Sequence, residues 1–374
     1  MQALKDVFDR NFHERMELGA SVSVYRDGEK LVSYSAGWCE KEQVREWTDS
    51  TLVPVYSATK GPAAVTLMTA LEKAGLSPAT PVREVWGKFP VAANFGQLMS
   101  HQVGLPALDQ VADVFDFEAV VESIEAQKPA WPLGSAHGYH PRTYGYLLDH
   151  PVRLLTGQSL GEFWRSEIAD GLGLDFWIGL PEELEPRVAK LYPGKMDKKD
   201  MDGSPFYSEF LKRGTLVQRA FASPRGLHSV AEMNTREAHE SGLPAMGGIG
   251  TADSLACFYQ ALLGTPVGEG PGISEKVRSW ILPRQVQGED QIMKLPTAFH
   301  YGFMGDPIDT EGRKIRQLYG PNLSAFGHPG SGGSVGFCDP ETGISFAYVM
   351  NQMELSLFPG VKSLDMIEAL YSSL

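Results

Sequence analysis

Three strings in this chain could set a serine hydroxyl against a carbonyl carbon. Two have the form G-x-S-x-G, Gly157-Gln-Ser159-Leu-Gly161 and Gly332-Gly-Ser334-Val-Gly336. A nucleophile on such a string needs a strand before it, a sharp turn at the serine and a helix after it. Ser159 instead lies between two helical segments, which suits an N-cap. Ser334 is followed by strand and hairpin signals. The third string, Ser57-Ala-Thr-Lys60, stands just ahead of an apolar helical pattern. Residues three apart share a helix face, so the Lys60 amine can reach the Ser57 hydroxyl. At a helix start the Ser57 N–H also points outward, at the positive end of the dipole. Nucleophile, base and one oxyanion donor would then come from a single turn. Proline in Gly61-Pro62 removes an early helical donor and is expected to make the first turn tighter than α.

The elements that must hold this turn can be read from periodicity. Residues 2–16 carry Leu4, Val7, Phe8, Phe12 and Met16 at helical spacing. Ala20 to Tyr25 and Lys30 to Ala36 read as strands, and Asp27-Gly28 between them is a hairpin signal. Residues 62–75 form a helix stopped by Gly75 and Pro78. From about 80 to 230 helical segments such as 146–156, 159–170 and 181–190 alternate with proline and glycine breaks, without a clear strand run. A helix over Asp253 to Leu263 follows, then strands at Ser334 to Phe337 and Ile344 to Met350 around a turn at Asp339-Pro340, and a last helix over 361–373. Helix and hairpin at one end, with hairpin and helix at the other, imply an α+β fold: one antiparallel sheet built from both chain ends and flanked by helices. The expected sheet domain is 1–78 plus 240–374, with 79–239 a mainly helical insertion. A site between the two would be a common arrangement.

Composition excludes several classes. Of 374 residues, 43% are hydrophobic and 21% charged, an ordinary globular balance; 40 glycines and 25 prolines argue against a simple helical bundle. The net charge of −13 and the lack of a basic run speak against nucleic acid as a partner. Cys39, Cys257 and Cys338 are odd in number and far apart, so they read as buried small hydrophobes. His137 and His140 lie three apart but lack a third ligand at helical spacing, so no metal and no organic cofactor is expected. The charged residues of the first sixteen exclude a signal-peptide core, and no apolar run reaches membrane-span length, so a cytoplasmic chain without a membrane partner is the expectation.

Further strings accompany Ser57-x-x-Lys60 in order: Met99-Ser-His101-Gln-Val-Gly-Leu-Pro106, Trp131-Pro-Leu-Gly134, Tyr139-His-Pro-Arg-Thr-Tyr-Gly145, Gly327-His328-Pro-Gly330-Ser-Gly-Gly333 and Val349-Met350-Asn351. Together they resemble the β-lactamase-like serine hydrolases, specifically family VIII carboxylesterases related to class C β-lactamases, over nearly the whole chain. The resemblance implies a β-lactamase/transpeptidase-like fold, with Ser57 the acylated nucleophile, Lys60 its partner and Tyr139 a proton carrier from the helical domain. It implies that His328-Pro329-Gly330 occupies the place of Lys-Thr-Gly, with the N–H of Ser331 as second oxyanion donor beside that of Ser57. His328, Gly330 and Trp131 would meet the substrate, Trp131 either lining the acyl pocket or packing under the Tyr139 loop. His101 reads as a hydrogen-bonded structural residue.

Two departures bear on substrate. Pro141 stands where the class C lactamase has the asparagine of Tyr-x-Asn, and His328-Pro329 replaces the cation and hydroxyl of Lys-Thr. Both changes disfavour β-lactam or peptide turnover and leave hydrolysis of small or short-chain acyl esters, a small-molecule substrate. Acyl transfer, weak β-lactamase or D-aminopeptidase activity would use the same groups, and a catalytically silent binding protein would keep the same pocket. Either Lys60 or Tyr139 could accept the Ser57 proton, and a tyrosine beside a cationic lysine is expected to ionise more easily. Nothing in the sequence sets the oligomeric state.

Overall fold

The computed structural model describes residues 1–195, 201–270, 272–356 and 358–374; residues 196–200, within the expected insertion, lie outside the described set. Strands are β1 (Gly19–Arg26), β2 (Glu29–Gly37), β3 (Val53–Pro54), β4 (Phe176–Ile178), β5 (Gly248–Gly250), β6 (Val286–Glu289), β7 (Pro296–Phe299), β8 (Met304–Gly305), β9 (Phe326–Pro329), β10 (Val335–Asp339) and β11 (Ile344–Met350). The first six helices are α1 (Gln2–Glu14), α2 (Lys60–Lys73), α3 (Phe95–Met99), α4 (Phe117–Ala126), α5 (Tyr144–Thr156) and α6 (Leu160–Trp164).

Eight strands form one antiparallel sheet in the order β2-β1-β11-β10-β9-β8-β7-β6. β1 pairs with β11, Ala20 opposite Met350, so the two ends of the chain meet one strand in from the β2 edge. The β1–β2 turn uses Asp27 at φ 52° and Gly28 at φ 89°, the left-handed pair that a two-residue hairpin favours. β11 is buried on both faces, as a strand covered on both sides must be. Ser345 on one face bonds to Ala256 and Gln260 of the Ala252–Leu262 helix. Tyr348 on the other face donates to Glu17, beside the seam where α1 meets the Val361–Tyr371 helix.

The α+β class is as the sequence implies, while three local expectations change. Half of the large sheet, β6 to β9, consists of strands of two to four residues, too short for alternation to register. β4 is a strand where none was expected; it pairs with β5, which pairs with β3, in a second sheet of three strands. The expected helix over 181–190 is only a 3-10 segment, Glu182–Arg187, in which Pro186 removes a helical donor while Pro181 stands at the N-cap. Among the described residues no helix is long and apolar enough to cross a membrane.

Candidate active site

Ser57 and Lys60 sit where β3 runs into α2. Tyr56 just before them is forced to φ 48°, ψ −129°, a strained backbone for a non-glycine residue. Ser57–Thr59 then form a 3-10 turn that leads into α2 at Lys60, the tighter turn expected ahead of Gly61-Pro62. β5 fixes the turn from the side: the N–H of Val55 donates to Gly248 at 2.9 Å and the N–H of Gly248 to Thr59 Oγ1 at 2.8 Å.

The turn lays Lys60 Nζ 3.2 Å from Ser57 Oγ. The amine is fully buried and donates to the carbonyls of Pro141, at 3.0 Å, and Ala245, at 2.8 Å. No carboxylate pairs with it among the described residues, and burial pushes its pKa well below the ordinary lysine value. A neutral amine has two hydrogens and one lone pair. In that form the two carbonyls would take the hydrogens and leave the lone pair for the Ser57 hydroxyl. Gly145 permits this approach, because a side chain there would press on the backbone of Ala245 at 2.9 Å.

Tyr139 comes to the same point on a loop held by one buried carboxylate. Asp290 accepts the N–H of Tyr139 at 3.0 Å, those of Ile292 and Met293 at 2.8 and 2.9 Å, and the Thr297 hydroxyl at 3.0 Å. The Tyr139 ring lies parallel to Phe299, with centroids 6.3 Å apart, and Lys60 Nζ is 4.8 Å from its centre. The expected ease of ionisation is reversed. Burial raises the Tyr139 phenol, the charge of Asp290 adds to that, and a polar contact with Ser57 opposes it without prevailing. Of the two candidate proton acceptors, only Lys60 is shifted toward its neutral base form.

The third wall is the Gly327–Gly333 turn. A side chain at Gly330 would collide with the Val55 carbonyl, so this glycine lets the turn lie directly against the Ser57 segment. The N–H groups of Ser57 and Ser331 have no partner among the described residues. His328 is buried; its Nδ1 donates to the Pro329 carbonyl at 2.8 Å, and burial together with Lys60 pushes its pKa down to about 3. The ring is therefore a neutral body where a fixed cation would otherwise stand. Ser57, Tyr139, His328, Gly330 and Ser331 line a cavity of about 90 Å³, together with Met293, Met304, Phe221, Ser356 and Phe358. Wider surface grooves, such as one of about 650 Å³ beside Arg153 and Arg236, hold none of the proposed reacting groups.

Trp131 is not brought to this cavity. It takes the second of its expected positions: the indole N–H donates to Gln102 O at 3.2 Å, and the ring backs Gly138 under the Tyr139 loop. His101 accepts the N–H of His140 at 3.2 Å and packs between Tyr144 and Phe299, a supporting role. His137 bonds to Thr297, and His140 accepts from Leu105, so both rings have protein partners. Ser159 caps α6 in a reciprocal pair with Glu162. Ser334 leads into β10, and its carbonyl accepts from Gly330. The sequence reading passed over Asp290, the two carbonyls on Lys60, and Phe221 and Phe358. Asp290 had no local signal, and backbone acceptors never have one.

With this geometry in hand, comparison with known proteins is informative. The beta-lactamase family model matches residues 8–364. The esterase/beta-lactamase LipL of Mycobacterium tuberculosis is 28% identical over 90% of this chain and 77% of its own. A penicillin-binding protein homolog from Caulobacter crescentus superposes with a TM-score of 0.88 at 31% identity, covering 100% of this chain and 97% of that one. A family VIII carboxylesterase superposes with a TM-score of 0.86 at 28% identity over the same shares of both chains.

Proposed function

The chain belongs to the beta-lactamase family of serine hydrolases, and we propose that it is an esterase that cleaves small or short-chain acyl esters through an acyl intermediate on Ser57. The observation that carries this reading is the buried, carboxylate-free Lys60, with two carbonyls on its hydrogens and Ser57 at its remaining position. Esterase relatives, LipL and the family VIII carboxylesterase, support the choice of bond.

In the proposed sequence, the Lys60 lone pair takes the hydroxyl proton as Ser57 Oγ bonds to the ester carbonyl carbon. The N–H groups of Ser57 and Ser331 hold the alkoxide. Collapse breaks the bond to the alcohol, which leaves with the proton held by Lys60, handed on by the Tyr139 phenol. Water then attacks the acyl carbon and gives a proton to the same amine; collapse breaks the acyl bond to Ser57 Oγ, which takes that proton back from Lys60 as the acid leaves. Tyr139, kept protonated by burial, serves as a donor and relay rather than as the first base. The small cavity suits a small ester, since pockets for drug-sized ligands run to roughly 300–1,000 Å³. Neutral His328 gives a substrate carboxylate no cation to pair with, which favours uncharged esters over β-lactams.

The test is turnover of a chromogenic butyrate ester and of a chromogenic cephalosporin by wild type and Ser57→Ala, with intact mass to trap the acyl adduct. Butyrate turnover with an adduct that Ser57→Ala abolishes is the expected result. Ester hydrolysis that survives Ser57→Ala would overturn the nucleophile. Absence of turnover and adduct with both substrates would favour a binding protein of the same fold.

A further inference from the structure

Two aromatic rings, Phe358 and Phe221, line the cavity that holds Ser57, and they are held in different ways. Phe358 carries the Arg316 guanidinium on its face, with Cζ 3.9 Å from the ring centroid. Arg316 is itself fixed. Its Nη2 donates to Pro296 O at 3.2 Å, and the stretch that bears it is pinned on both sides to buried Asp306. That carboxylate takes Lys314 Nζ at 2.9 Å on one side of Arg316 and the N–H of Leu318 at 2.9 Å on the other. A guanidinium over a ring attracts it electrostatically and limits the rotamers it can adopt. Phe221, by contrast, lies on the Leu216–Ala222 helix and packs edge-on against Phe206 and Phe210 of the preceding helix, with centroids 5.5 Å apart in each pair. That wall is an aromatic cluster, with no cation over the Phe221 ring among the described residues.

We propose that Phe358, positioned by Arg316, is the wall that limits the length of the ester's apolar arm, acyl or alcohol. The inference rests on the esterase reading and deepens it, by naming what sets substrate size. Arg316 lies outside the cavity lining and acts only through the ring. A longer arm must push Phe358 off its cation, whereas a short arm leaves the pair intact. In apolar pockets one methylene changes discrimination by about 10–200-fold, so opening a wall has a large readable effect.

The experiment compares octyl-length with two-carbon arms in two ester series, one varying the acyl chain at constant alcohol and one varying the alcohol at constant acyl group. The ratio of kcat/KM for long over short is read within each variant, which cancels differences in the amount of folded enzyme. Phe358→Ala is expected to raise that ratio at least about 10-fold in one of the two series, which identifies the arm. Arg316→Leu should raise the same ratio by about 3-fold, and adding it to Phe358→Ala should raise it no further, because the two act as one coupled unit. Phe358→Leu should move the ratio in the same direction by less and serves if the alanine variant does not fold. Wild-type ester turnover with ratios that neither Phe358 variant moves in either series overturns the wall alone. An Arg316→Leu effect that adds in full to Phe358→Ala overturns the positioning role. Wild type that turns over no ester of either length overturns the esterase reading beneath it.

Discussion

Lys60, Lys314 and Lys362 have buried side chains, and they are used in two ways. Lys314 and Lys362 have side chains 3% and 4% exposed and each meets a carboxylate, Asp306 at 2.9 Å and Glu17 at 3.1 Å. Lys60 is 0% exposed, and among the described residues its amine hydrogen-bonds only with carbonyls and a hydroxyl. A carboxylate balances an ammonium charge, whereas a carbonyl satisfies an N–H without supplying the charge that would keep the proton bound. Residue type and burial are therefore shared, and the partner set separates a strut from the proposed base. At the seam of the terminal helices Lys362 ties elements together. In the candidate pocket Lys60 has no carboxylate among the described residues to hold its proton.

The sharpest way to break this contrast is to remove each cation in turn. Lys60→Met should lower ester kcat/KM by about 10³-fold or more, within the range for loss of a general base in a covalent mechanism. Lys60→Arg should fare no better, because guanidinium keeps its proton throughout the accessible pH range. In wild type, log kcat/KM should rise with pH as Lys60 deprotonates and level off well below the ordinary lysine pKa. The sign for stability is the same. Below the usual lysine pKa the unfolded chain still binds the proton that native Lys60 has released, so this group's contribution to stability rises with pH between the folded and unfolded values. A kcat/KM plateau reached only near pH 10.5 would place Lys60 with the other two lysines.

Lys362→Met is the matching experiment on the strut. It leaves buried Glu17, whose carboxyl burial already pushes up, without its cation. We expect a loss of about 3–5 kcal/mol of stability in urea unfolding, with kcat per folded molecule unchanged. Glu17→Gln added to Lys362→Met should recover part of the loss. A drop in kcat without a drop in stability would erase the distinction between the two regions.

Asp290 tests how the pocket depends on a support outside it. Asp290→Ala strands the N–H groups of Tyr139, Ile292 and Met293, and unsatisfied buried donors cost about 1–3 kcal/mol each. Because Tyr139 loses its anchor, kcat should fall more than KM rises. Steady-state kinetics at a temperature well below the variant's Tm separates this from unfolding. Asp290→Asn, which keeps an oxygen acceptor, should recover part of the activity.

What could be read in the sequence follows the range of the interactions. Ser57-x-x-Lys60 and its turn are local, and so are the Asp27-Gly28 hairpin and the long amphipathic helices. The atoms that hold Lys60 without a counter-charge are not: Pro141 O and Ala245 O lie 81 and 185 positions away and belong to the backbone, where residue type carries little information. Tyr139 shows the same limit in its electrostatics. A neighbouring lysine can be seen in the motif order, but the burial that outweighs it is a property of the packed fold. Strands β6 to β9 were hidden because two to four residues do not establish a period, although they carry His328 and the Asp290 turn to the site.

The smallest expected effect belongs to the other serine strings. Ser159 Oγ accepts the N–H of Glu162 at 3.3 Å, while Glu162 takes the N–H of Ser159 at 2.8 Å, a reciprocal cap on α6. Ser159→Ala removes the forward half of that box and should lower stability by about 0.5–2 kcal/mol, leaving ester kcat and KM as in wild type. Thermal unfolding and steady-state kinetics on the same preparation check both halves. The result discriminates because G-x-S-x-G and S-x-x-K cannot both supply the nucleophile. A folded Ser159→Ala protein that has lost turnover would move the chemistry off the buried amine. A destabilised protein that still turns over would show that Ser159, a serine between two helices, caps a helix and is not the nucleophile.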